Sequence, residues 1–453
     1  MSNDLLSRFA DRFSETGFKR LLKTGFYFKN SYYEFVPTVT GPGHSCIYTG
    51  SLPYLNGIIG NEWYNKTKNE IIYCADDKSV NAVGVETVKE KYSPKNLLAS
   101  TVTDELIKAD NNSKVISISL KDRGAVFPGG HLGKSFWFDE YTGKFITSSY
   151  YTNELPDWIN KFNERKLNDF YLSQTWNTLY PIGTYTASTP DNVPWETLFK
   201  GKTEPVFPYE LSSLKEKTRT ILTYTPFGNS ILKVLTLTAL ESEKLGKGSS
   251  TDFLCVSFSS TDVAGHHFGP NSVEIEDMYL RLDKELSEIF DYIDQQIGFE
   301  NTLLFLTSDH SVAPTPGYLQ SLGIPAGNIN TKQLKDSVEI FLNNKYGEDN
   351  WILVMENLQL YLNDKVLKEK NISHEQIEND ICDYLKNYEG VKEIYSSSRL
   401  MNGEYDSQNS RLIRNGFIKE LSGDVTIVLD SNWITGDQWG TTHGSVYKYD
   451  RNV

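Results

Sequence analysis

Apolar residues that return every three or four positions predict helices over residues 4–24, 93–109, 227–245 and 273–296. This spacing places the apolar side chains on one face, which packs against a core. For the second helix we expect Ser93 as the N-cap and Pro94 in the first turn. Its inward-facing side chains are then Leu97, Leu98, Val102 and Leu106.

Short runs of apolar and β-branched residues predict strands over residues 69–73, 79–84, 114–120, 253–258, 302–307, 352–355 and 425–429. The runs FLCVSF (253–258) and TLLFLT (302–307) are continuously apolar, which is typical of strands buried on both faces. With the helix 273–296 between them, they predict a right-handed parallel crossover. The chain is therefore expected to adopt an α/β fold whose ligand site lies beyond the carboxyl ends of the strands.

Changes in residue composition and predicted elements along the chain suggest two insertions in this α/β core. Residues 1–150 form the first part of the core, and residues 151–250, dense in Tyr, Trp, Asn, Thr and Pro, form an irregular cap. The core resumes at 251–325 and is followed by a small α+β insertion at 326–425 with a helix over 373–387. Residues 426–453 are expected to complete the core.

Charge and composition narrow the possible partners. The chain has 453 residues and a net charge of -14, which argues against binding to a nucleic-acid duplex. It has no apolar run that could span a membrane, and its first residues lack the pattern of a signal peptide. The four cysteines are scattered without metal-binding spacing. An acidic protein that handles an anion needs local positive charge, most simply from metal ions.

One motif has the form of a phosphate-binding helix start. The sequence PTVTGPGH (37–44) leads from an extended run into residues that favour a helix. Thr40 is expected to act as N-cap and Pro42 to occupy the first turn. Gly41 and Gly43 would let the backbone approach a ligand, and the first turn of a helix favours an anion. The alternative is a well-made turn that binds nothing.

Acidic residues and histidines stand together at two predicted strand ends. Asp262 precedes His266 by four positions, Asp309 is followed by His310, and His443 lies in a GTTHG sequence near the end of the chain. Mixed carboxylate and imidazole ligands suit zinc, and manganese or iron less well. Taken singly, each pair could be an ordinary salt bridge, but together at adjacent strand ends they favour a metal site.

Two cations follow the predicted strand 114–120. Lys121 and Arg123 are two positions apart, so at a strand end both would point toward the same cleft. There they could neutralise phosphoryl oxygens, Arg123 with a bidentate grip. A solvated basic pair in a turn is the alternative.

These motifs together resemble the alkaline phosphatase superfamily, and within it the phosphate-irrepressible (PafA-like) phosphatases with a single Thr nucleophile, which are related to nucleotide pyrophosphatase/phosphodiesterases. The resemblance runs over nearly the whole chain. It is carried by TVTGPGH (38–44), GIIGNEW (57–63), SLKDRGA (119–125), STDVAGH (260–266), TSDH (307–310) and GTTHG (440–444). It implies a three-layer sandwich with a mostly parallel central sheet and inserted caps.

The resemblance also implies roles for particular residues. Thr40 would be the nucleophile that forms a phosphothreonine intermediate, and phosphoryl oxygens would be bound by Asn61, Lys121 and Arg123. Two zinc ions are expected. One would be held by Asp262, His266 and His443, and the other by Asp309, His310 and the Thr40 oxygen. Small phosphate monoesters are the implied substrates, because a diester offers one charged oxygen fewer to the Lys-x-Arg pair. The implied location is periplasmic or extracellular.

The sequence departs from the family pattern at both ends. The family carries a further Asp ligand of the second zinc on a first strand that would fall before Met1, and Asp4 is the nearest substitute. The family also continues with a strand and a helix after the position of His443. We therefore expect a member that lacks both ends of the core. The alternatives to a zinc phosphomonoesterase are a phosphodiesterase or nucleotide pyrophosphatase, disfavoured by Lys121 and Arg123, and a silent zinc- or phosphate-binding homologue.

Overall fold

The computed structural model describes residues 3–86, 89–214, 219–436 and 438–453. Its helices are α1 (Asn3–Arg8), α2 (Phe18–Thr24), α3 (Thr40–Thr49), α4 (Pro53–Asn56), α5 (Val102–Ala109), α6 (Asp122–Gly129), α7 (Asp157–Glu164), α8 (Leu167–Leu172), α9 (Pro226–Ser242), α10 (Ser260–Phe268), α11 (Val273–Gln296), α12 (Pro316–Ser321), α13 (Thr331–Tyr346), α14 (Asp364–Lys370), α15 (His374–Leu385), α16 (Ser397–Met401), α17 (Gln408–Asn415) and α18 (Lys448–Arg451). Its strands are β1 (Glu62–Asn65), β2 (Glu70–Tyr73), β3 (Ala82–Val83), β4 (Val115–Ser119), β5 (Lys134–Asp139), β6 (Lys144–Ser148), β7 (Thr175–Trp176), β8 (Tyr209–Glu210), β9 (Phe253–Ser257), β10 (Gly327–Ile329), β11 (Ile352–Glu356), β12 (Gln359–Leu362), β13 (Val391–Ser396), β14 (Val425–Leu429) and β15 (Trp433–Thr435).

The main sheet is mixed and has helices on both faces. Its strand order is β3-β6-β5-β4-β9, in which β4 is parallel to β5 and β9 while β6 is antiparallel to β5 and β3. Along β5, Phe136 and Phe138 pack into the core that contains Leu232 of α9, whereas Trp137 packs into the core of α6 on the other face. This alternation is the consequence of the pleat. The predicted α/β class is confirmed.

A second sheet gathers most of the strands from the later part of the chain. Its order is β11-β12-β14-β13, all antiparallel, and α13 and α15 cover its apolar core. This part of the chain combines helices with antiparallel strands. The predicted boundary at residue 426 is wrong, because Val425, Ile427 and Leu429 of β14 are buried in this second core. The other domain boundaries stay predictions.

The predicted helix over residues 4–24 is interrupted. Helices α1 and α2 are separated because a carboxylate from another helix enters between them. Asp283 of α11 accepts hydrogen bonds from the backbone N–H groups of Ser14 (2.7 Å) and Phe18 (2.8 Å). A Cβ at Gly17 would lie 2.2 Å from this carboxylate, so only glycine fits there. The apolar periodicity continues across the break, and the sequence pattern therefore conceals it.

The helix predicted over residues 93–109 begins later than expected. Thr101 is the true N-cap, since its hydroxyl accepts from the Asp104 N–H while the Asp104 carboxylate accepts from the Thr101 N–H. The Ser93 hydroxyl instead donates to Asp77 at 2.7 Å. Of the side chains expected to face inward, Leu98 is 74% exposed and Val102 is 50% exposed. That part of the prediction is wrong because Leu98 lies in the non-helical stretch 93–100 and Val102, the first residue of α5, does not face the core.

The predicted strand 302–307 is also wrong, and with it the predicted crossover. This segment has no regular secondary structure, and Leu303 is 91% exposed. An apolar run forms a strand only where a neighbouring strand takes up its backbone hydrogen bonds. No described strand pairs with this segment, although the rings of Phe253 and Phe305 lie 6.0 Å apart. Among the strands of the described residues, β9 consequently pairs only with β4, and it is half-buried rather than buried on both faces.

Most of the remaining predictions from periodicity are confirmed in position and type, but the predicted strand 79–84 is reduced to the two residues Ala82–Val83. Residues 227–245 and 273–296 correspond to α9 and α11, and residues 373–387 correspond to α15. The runs 114–120, 253–258, 352–355 and 425–429 correspond to β4, β9, β11 and β14, and the runs 69–73 and 79–84 to β2 and β3.

The contact that separates α1 from α2 generates a stability prediction. Asp283→Ala would leave the backbone N–H groups of Ser14 and Phe18 without their acceptor, at a cost of about 1–3 kcal/mol in the free energy of unfolding. Urea denaturation measures this change. Asp291→Ala, at an exposed position of the same helix, is the matched control and should change stability by less than about 0.5 kcal/mol. Equal effects of the two substitutions would contradict the capping role of Asp283.

Candidate active site

Thr40 is the first residue of helix α3 and is almost fully buried. Val39 before it is extended, and its carbonyl accepts a hydrogen bond from the Gly43 N–H at 2.9 Å. Thr40 is thus inside the helix, so the predicted N-cap role is wrong. The Gly41 N–H donates to Oδ1 of Asn61 at 2.7 Å, which fixes the Asn61 amide beside the first turn. The structure therefore brings Thr40 and Asn61 together.

Gly43 was expected to let the backbone approach a ligand, but it lies against the protein backbone instead. A Cβ at this position would lie 2.1 Å from the backbone oxygen of Asp309. The missing side chain therefore lets α3 pack directly on the segment that carries Asp309, rather than on a ligand. This contact sets the position of Thr40 relative to the predicted ligands of the second metal.

Three of the predicted metal ligands converge at one point. Oδ1 of Asp262 lies 3.5 Å from Nε2 of His266 and 3.7 Å from Nε2 of His443. The two Nε2 atoms are 3.1 Å apart. Asp262 and His266 come from α10 at the end of β9, whereas His443 comes from the loop after β15. Their ligand atoms all lie within 4.8 Å of one another, a spacing that one ion could bridge.

The other ring nitrogens show why these atoms suit a metal. Nδ1 of His266 is 2.8 Å from the carbonyl of Thr441, and Nδ1 of His443 is 2.8 Å from the carbonyl of Thr38. A carbonyl only accepts hydrogen bonds, so each Nδ1 carries the proton and each Nε2 presents a lone pair. Two lone pairs that face each other repel unless a cation lies between them. The donor set therefore fits a bound metal ion.

The second predicted ligand pair lies against the first. Nε2 of His310 is 3.3 Å from Oδ2 of Asp309 and 3.8 Å from Oδ1 of Asp262. Nδ1 of His310 lies 2.8 Å from the Ser311 carbonyl, which repeats the orientation of the other two histidines. The rings of His310 and His443 stack with centroids 3.4 Å apart. The two groups thus form one continuous cluster of carboxylates and imidazoles.

The pKa values of the clustered residues favour cation binding near neutral pH. Burial raises the pKa of Asp262, but the nearby Lys121 and three histidines outweigh it and hold that pKa well below its usual value. Burial also opposes ionisation of Asp309, whose pKa is nevertheless lowered to about 2, chiefly by His310 and His44. Burial and neighbouring imidazoles hold the pKa of His443 well below its ordinary range. The carboxylates are therefore charged and the His443 imidazole is neutral, as metal ligands require.

The two predicted cations occupy different positions. Lys121 ends the turn after β4 and forms an ion pair with Oδ2 of Asp262. Arg123 lies in α6, where its Nη1 donates to the Tyr73 hydroxyl at 2.9 Å. The prediction that strand alternation points Lys121 and Arg123 into the same cleft is wrong, because helix α6 already begins at Asp122. Lys121 faces the metal ligands directly, whereas Arg123 is held to one side by Tyr73.

A cavity of about 170 Å³ is lined by several of the predicted site residues. Its polar lining includes Thr40, His44, Lys121, Asp262, Asp309 and His310. Asn61 and Arg123 are not among the residues that line it. The structure thus places the predicted nucleophile, one cation and three predicted ligands on one surface.

Two residues of this region had no role in the sequence analysis. Nε2 of His44 lies 3.7 Å from Asp309, and burial lowers the pKa of His44 to about 4. Tyr73 donates its hydroxyl hydrogen to Asp122 at 2.6 Å while accepting from Arg123. His44 could have been found from its position four residues after Thr40, on the same helix face. The sequence around Tyr73 contains no such signal.

Comparison with known proteins identifies the family. The family model for type I phosphodiesterase / nucleotide pyrophosphatase matches residues 1–450. The chain belongs to this family. Alkaline phosphatase PhoV of Synechococcus elongatus is 42% identical over 452 residues, which are 99% of this chain and 82% of that protein. Alkaline phosphatase PafA of Elizabethkingia meningoseptica is 39% identical over 455 residues, which are 99% of this chain and 83% of that protein.

The three-dimensional comparison agrees with this type I phosphodiesterase / nucleotide pyrophosphatase assignment. A crystal structure of wild-type alkaline phosphatase PafA superimposes with a TM-score of 0.96 at 38% identity, and the match covers 100% of this chain and 87% of that one. The family resemblance and the alkaline phosphatase-like fold predicted from the sequence motifs are confirmed.

The contact between Gly43 and Asp309 can be tested within this family member. Gly43→Ala places a methyl group against a backbone oxygen that cannot move without shifting Asp309, so we expect a loss of about 1–3 kcal/mol in the free energy of unfolding. Denaturation in urea checks this. Gly183→Ala is the control, because a Cβ at Gly183 meets nothing within 4 Å. An unchanged stability of Gly43→Ala would contradict the close approach of α3.

Proposed function

We propose that this protein hydrolyses phosphate monoesters with Thr40 as the nucleophile and two bound zinc ions. The observation that carries the proposal is the cluster of facing ligand atoms beside the buried hydroxyl of Thr40. Nε2 of His266 and Nε2 of His443 are 3.1 Å apart and both face Oδ1 of Asp262. The names of the similar alkaline phosphatases support the same reaction class.

The family resemblance assigns the residues that would hold the metals, and the short distances among Asp262, His266 and His443 support the assignment for the first ion. Asp262, His266 and His443 would bind one zinc ion, and Asp309, His310 and the Thr40 oxygen would bind the other. When bound, the ions supply positive charge that lowers the pKa of a hydroxyl nucleophile and stabilises the leaving oxygen. Oxygen and imidazole donors without thiolate suit zinc at such sites.

The phosphoryl group is transferred in two steps, first to Thr40 and then to water. The Thr40 oxygen attacks phosphorus, the bond from phosphorus to the ester oxygen breaks, and the alcohol leaves with a proton. Water then attacks the phosphothreonine, and the bond between phosphorus and the Thr40 oxygen breaks to release phosphate. Thr40 is buried at the start of α3, which restricts the positions that its oxygen can take.

Three polar side chains would bind the phosphoryl oxygens. Asn61 is oriented by the Gly41 N–H, and Lys121 lies beside Asp262 on the cavity wall. Arg123 is held by the Tyr73 hydroxyl, which leaves other guanidinium N–H groups for a bidentate contact. An ionised monoester carries one negative charge more than a diester, so two cations on its oxygens favour the monoester.

A solved variant of alkaline phosphatase PafA supports these roles. That variant substitutes a Thr, an Asn 21 positions later, and a Lys and an Arg two positions apart. In the present chain the same residue types stand at Thr40 and Asn61 and at Lys121 and Arg123, with the same two spacings.

Phosphodiester hydrolysis is the second candidate, and the description of the matching family favours it. The substrates under either proposal are small phosphorylated molecules. Among the described residues, no helix is long and apolar enough to cross a membrane. A periplasmic or extracellular location remains part of the proposal.

The nucleophile can be tested with p-nitrophenyl phosphate at mildly alkaline pH and added zinc. Thr40→Ala removes the attacking oxygen and should reduce kcat by about a thousandfold or more. Thr49→Ala, at the other end of α3 and outside the cavity lining, is the matched control and should retain most of the activity. Equal turnover by Thr40→Ala and the wild-type protein would rule out Thr40 as the nucleophile.

The preference for monoesters has its own test. Arg123→Ala should reduce kcat/KM for p-nitrophenyl phosphate by about a hundredfold or more, because a charge-assisted contact to the second charged oxygen is lost. Turnover of bis-p-nitrophenyl phosphate should fall far less. Arg411→Ala, an exposed arginine, provides the control. Losses of the same size on both substrates would show that Arg123 does not discriminate between them.

A further inference from the structure

A second cluster of metal-ligand side chains lies beside the second sheet. It consists of His374 and Glu378 of α15 and of Asp424, which directly precedes β14. Each residue offers one ligand atom, and these three atoms all lie within 4.8 Å of one another. None of the three residues lines the cavity beside Thr40. The cluster is therefore distinct from the candidate active site.

The distances within this cluster match those between the ligands of one ion. His374 is the first residue of α15 and Glu378 follows four positions later, so both side chains lie on the same helix face. Nδ1 of His374 is 3.8 Å from Oε1 of Glu378 and 3.5 Å from Oδ1 of Asp424. Both distances are longer than a hydrogen bond prefers. Ligand atoms at about 2.1 Å from a tetrahedral ion are about 3.4 Å apart, which is close to what is observed.

The His374 imidazole has the orientation of a metal ligand. Its Nε2 lies 3.3 Å from Oδ1 of Asp364, and an ionised carboxylate can only accept the Nε2 hydrogen. A carboxylate on the outer nitrogen is the usual partner of a zinc-bound histidine. With the hydrogen on Nε2, the Nδ1 lone pair faces the oxygens of Glu378 and Asp424. These electron pairs repel one another unless a cation or a proton lies between them.

Backbone groups fix the two carboxylates through the oxygens that face away from the imidazole. The Ser398 N–H donates to Oε2 of Glu378 at 3.0 Å, and the Leu362 N–H donates to Oδ2 of Asp424 at 2.7 Å. Both carboxylates belong to buried residues. The Ser397 hydroxyl donates to Oε1 of Glu378 at 3.0 Å, which leaves that oxygen a second lone pair. The ligand atoms are thus held in position by the surrounding chain.

The charges around the imidazole suit a divalent cation. Three carboxylates face it, those of Asp364, Glu378 and Asp424. Lys66 offsets one of these charges, since its ammonium group lies 3.0 Å from Asp364 and 2.7 Å from Oδ2 of Asp424. Burial and the nearby charge of Asp424 raise the pKa of Glu378, so negative charge is crowded here. With a neutral imidazole, a divalent cation would bring the sum of these charges to zero.

We propose that His374, Glu378 and Asp424 bind a zinc ion that fastens helix α15 to the start of strand β14. One imidazole and two carboxylates are donors that zinc accepts, with water in the fourth position. The His374 side chain is 42% exposed, so water can reach the ion. Calcium and magnesium prefer oxygen ligands throughout, and the imidazole argues against them. The proposal does not depend on the proposed function.

The zinc content of the protein tests this site. The full chain is equilibrated with excess Zn²⁺ at mildly alkaline pH, which favours the neutral imidazole that a metal requires. Gel filtration then removes unbound ion, and mass spectrometry measures zinc per chain. We expect His374→Ala to hold one zinc ion per chain fewer than the wild-type protein. Glu375→Ala is the matched control, because Glu375 is the exposed neighbour of His374, and its zinc content should equal that of the wild-type protein.

A second variant keeps the test available if His374→Ala does not fold. Asp364→Asn leaves the three ligands in place but weakens the contact with Nε2 of His374. Zinc affinity at this site, measured by competition with a chelator, should therefore fall by about tenfold or more. An unchanged affinity in Asp364→Asn would contradict the orientation of the imidazole on which the proposal rests. Zn²⁺ should also raise the melting temperature of the wild-type protein more than that of His374→Ala.

Two results for the zinc content would overturn the proposal. One is an equal zinc content of His374→Ala and the wild-type protein, which would mean that a proton on His374 balances the carboxylates. The other is an equal loss of zinc from His374→Ala and Glu375→Ala, which would indicate a general disturbance of α15. A failure of the proposed function would lower the zinc content of all these proteins alike and leave the difference between them intact. The two failures are therefore distinguishable.

Discussion

The repulsion between the facing nitrogens of His266 and His443 is the constraint around which the site is built. Backbone carbonyls hold each Nδ1–H, so the two Nε2 lone pairs are forced to within 3.1 Å of each other beside Oδ1 of Asp262. Such a contact is unfavourable without a cation and favourable with one. This arrangement suits a bound cation, and Lys121 already places one positive charge here through its ion pair with Asp262.

Two neighbouring strand ends and one close helix contact bring these groups together. Strands β4 and β9 are parallel partners, and the Ser119 and Ser259 hydroxyls at their ends are 3.0 Å apart. Lys121 and Asp262 follow these ends directly, so parallel pairing brings them together. Helix α3 completes the arrangement, because Gly43 lets it rest on the backbone of Asp309.

The sequence grouped candidate ligands that the structure brings close together, whereas it predicted several of the surrounding elements wrongly. Ligand chemistry is local, so Asp262, His266, Asp309, His310 and His443 could be grouped from motifs that the structure brings together. The predictions of helices and strands failed where an element depends on residues that are distant in sequence. Asp283 divides the first helix from 265 positions away, and segment 302–307 lacks the neighbouring strand that its composition presumes.

Catalysis by Thr40 requires a covalent bond between its oxygen and phosphorus during turnover, and this bond can be trapped. The zinc-loaded protein would be mixed with p-nitrophenyl phosphate, quenched in acid within one turnover and digested for mass spectrometry. We expect one phosphoryl group on the peptide that contains Thr40, and none on that peptide from Thr40→Ala. Turnover without a phosphorylated peptide, or a phosphoryl group on another residue, would contradict it.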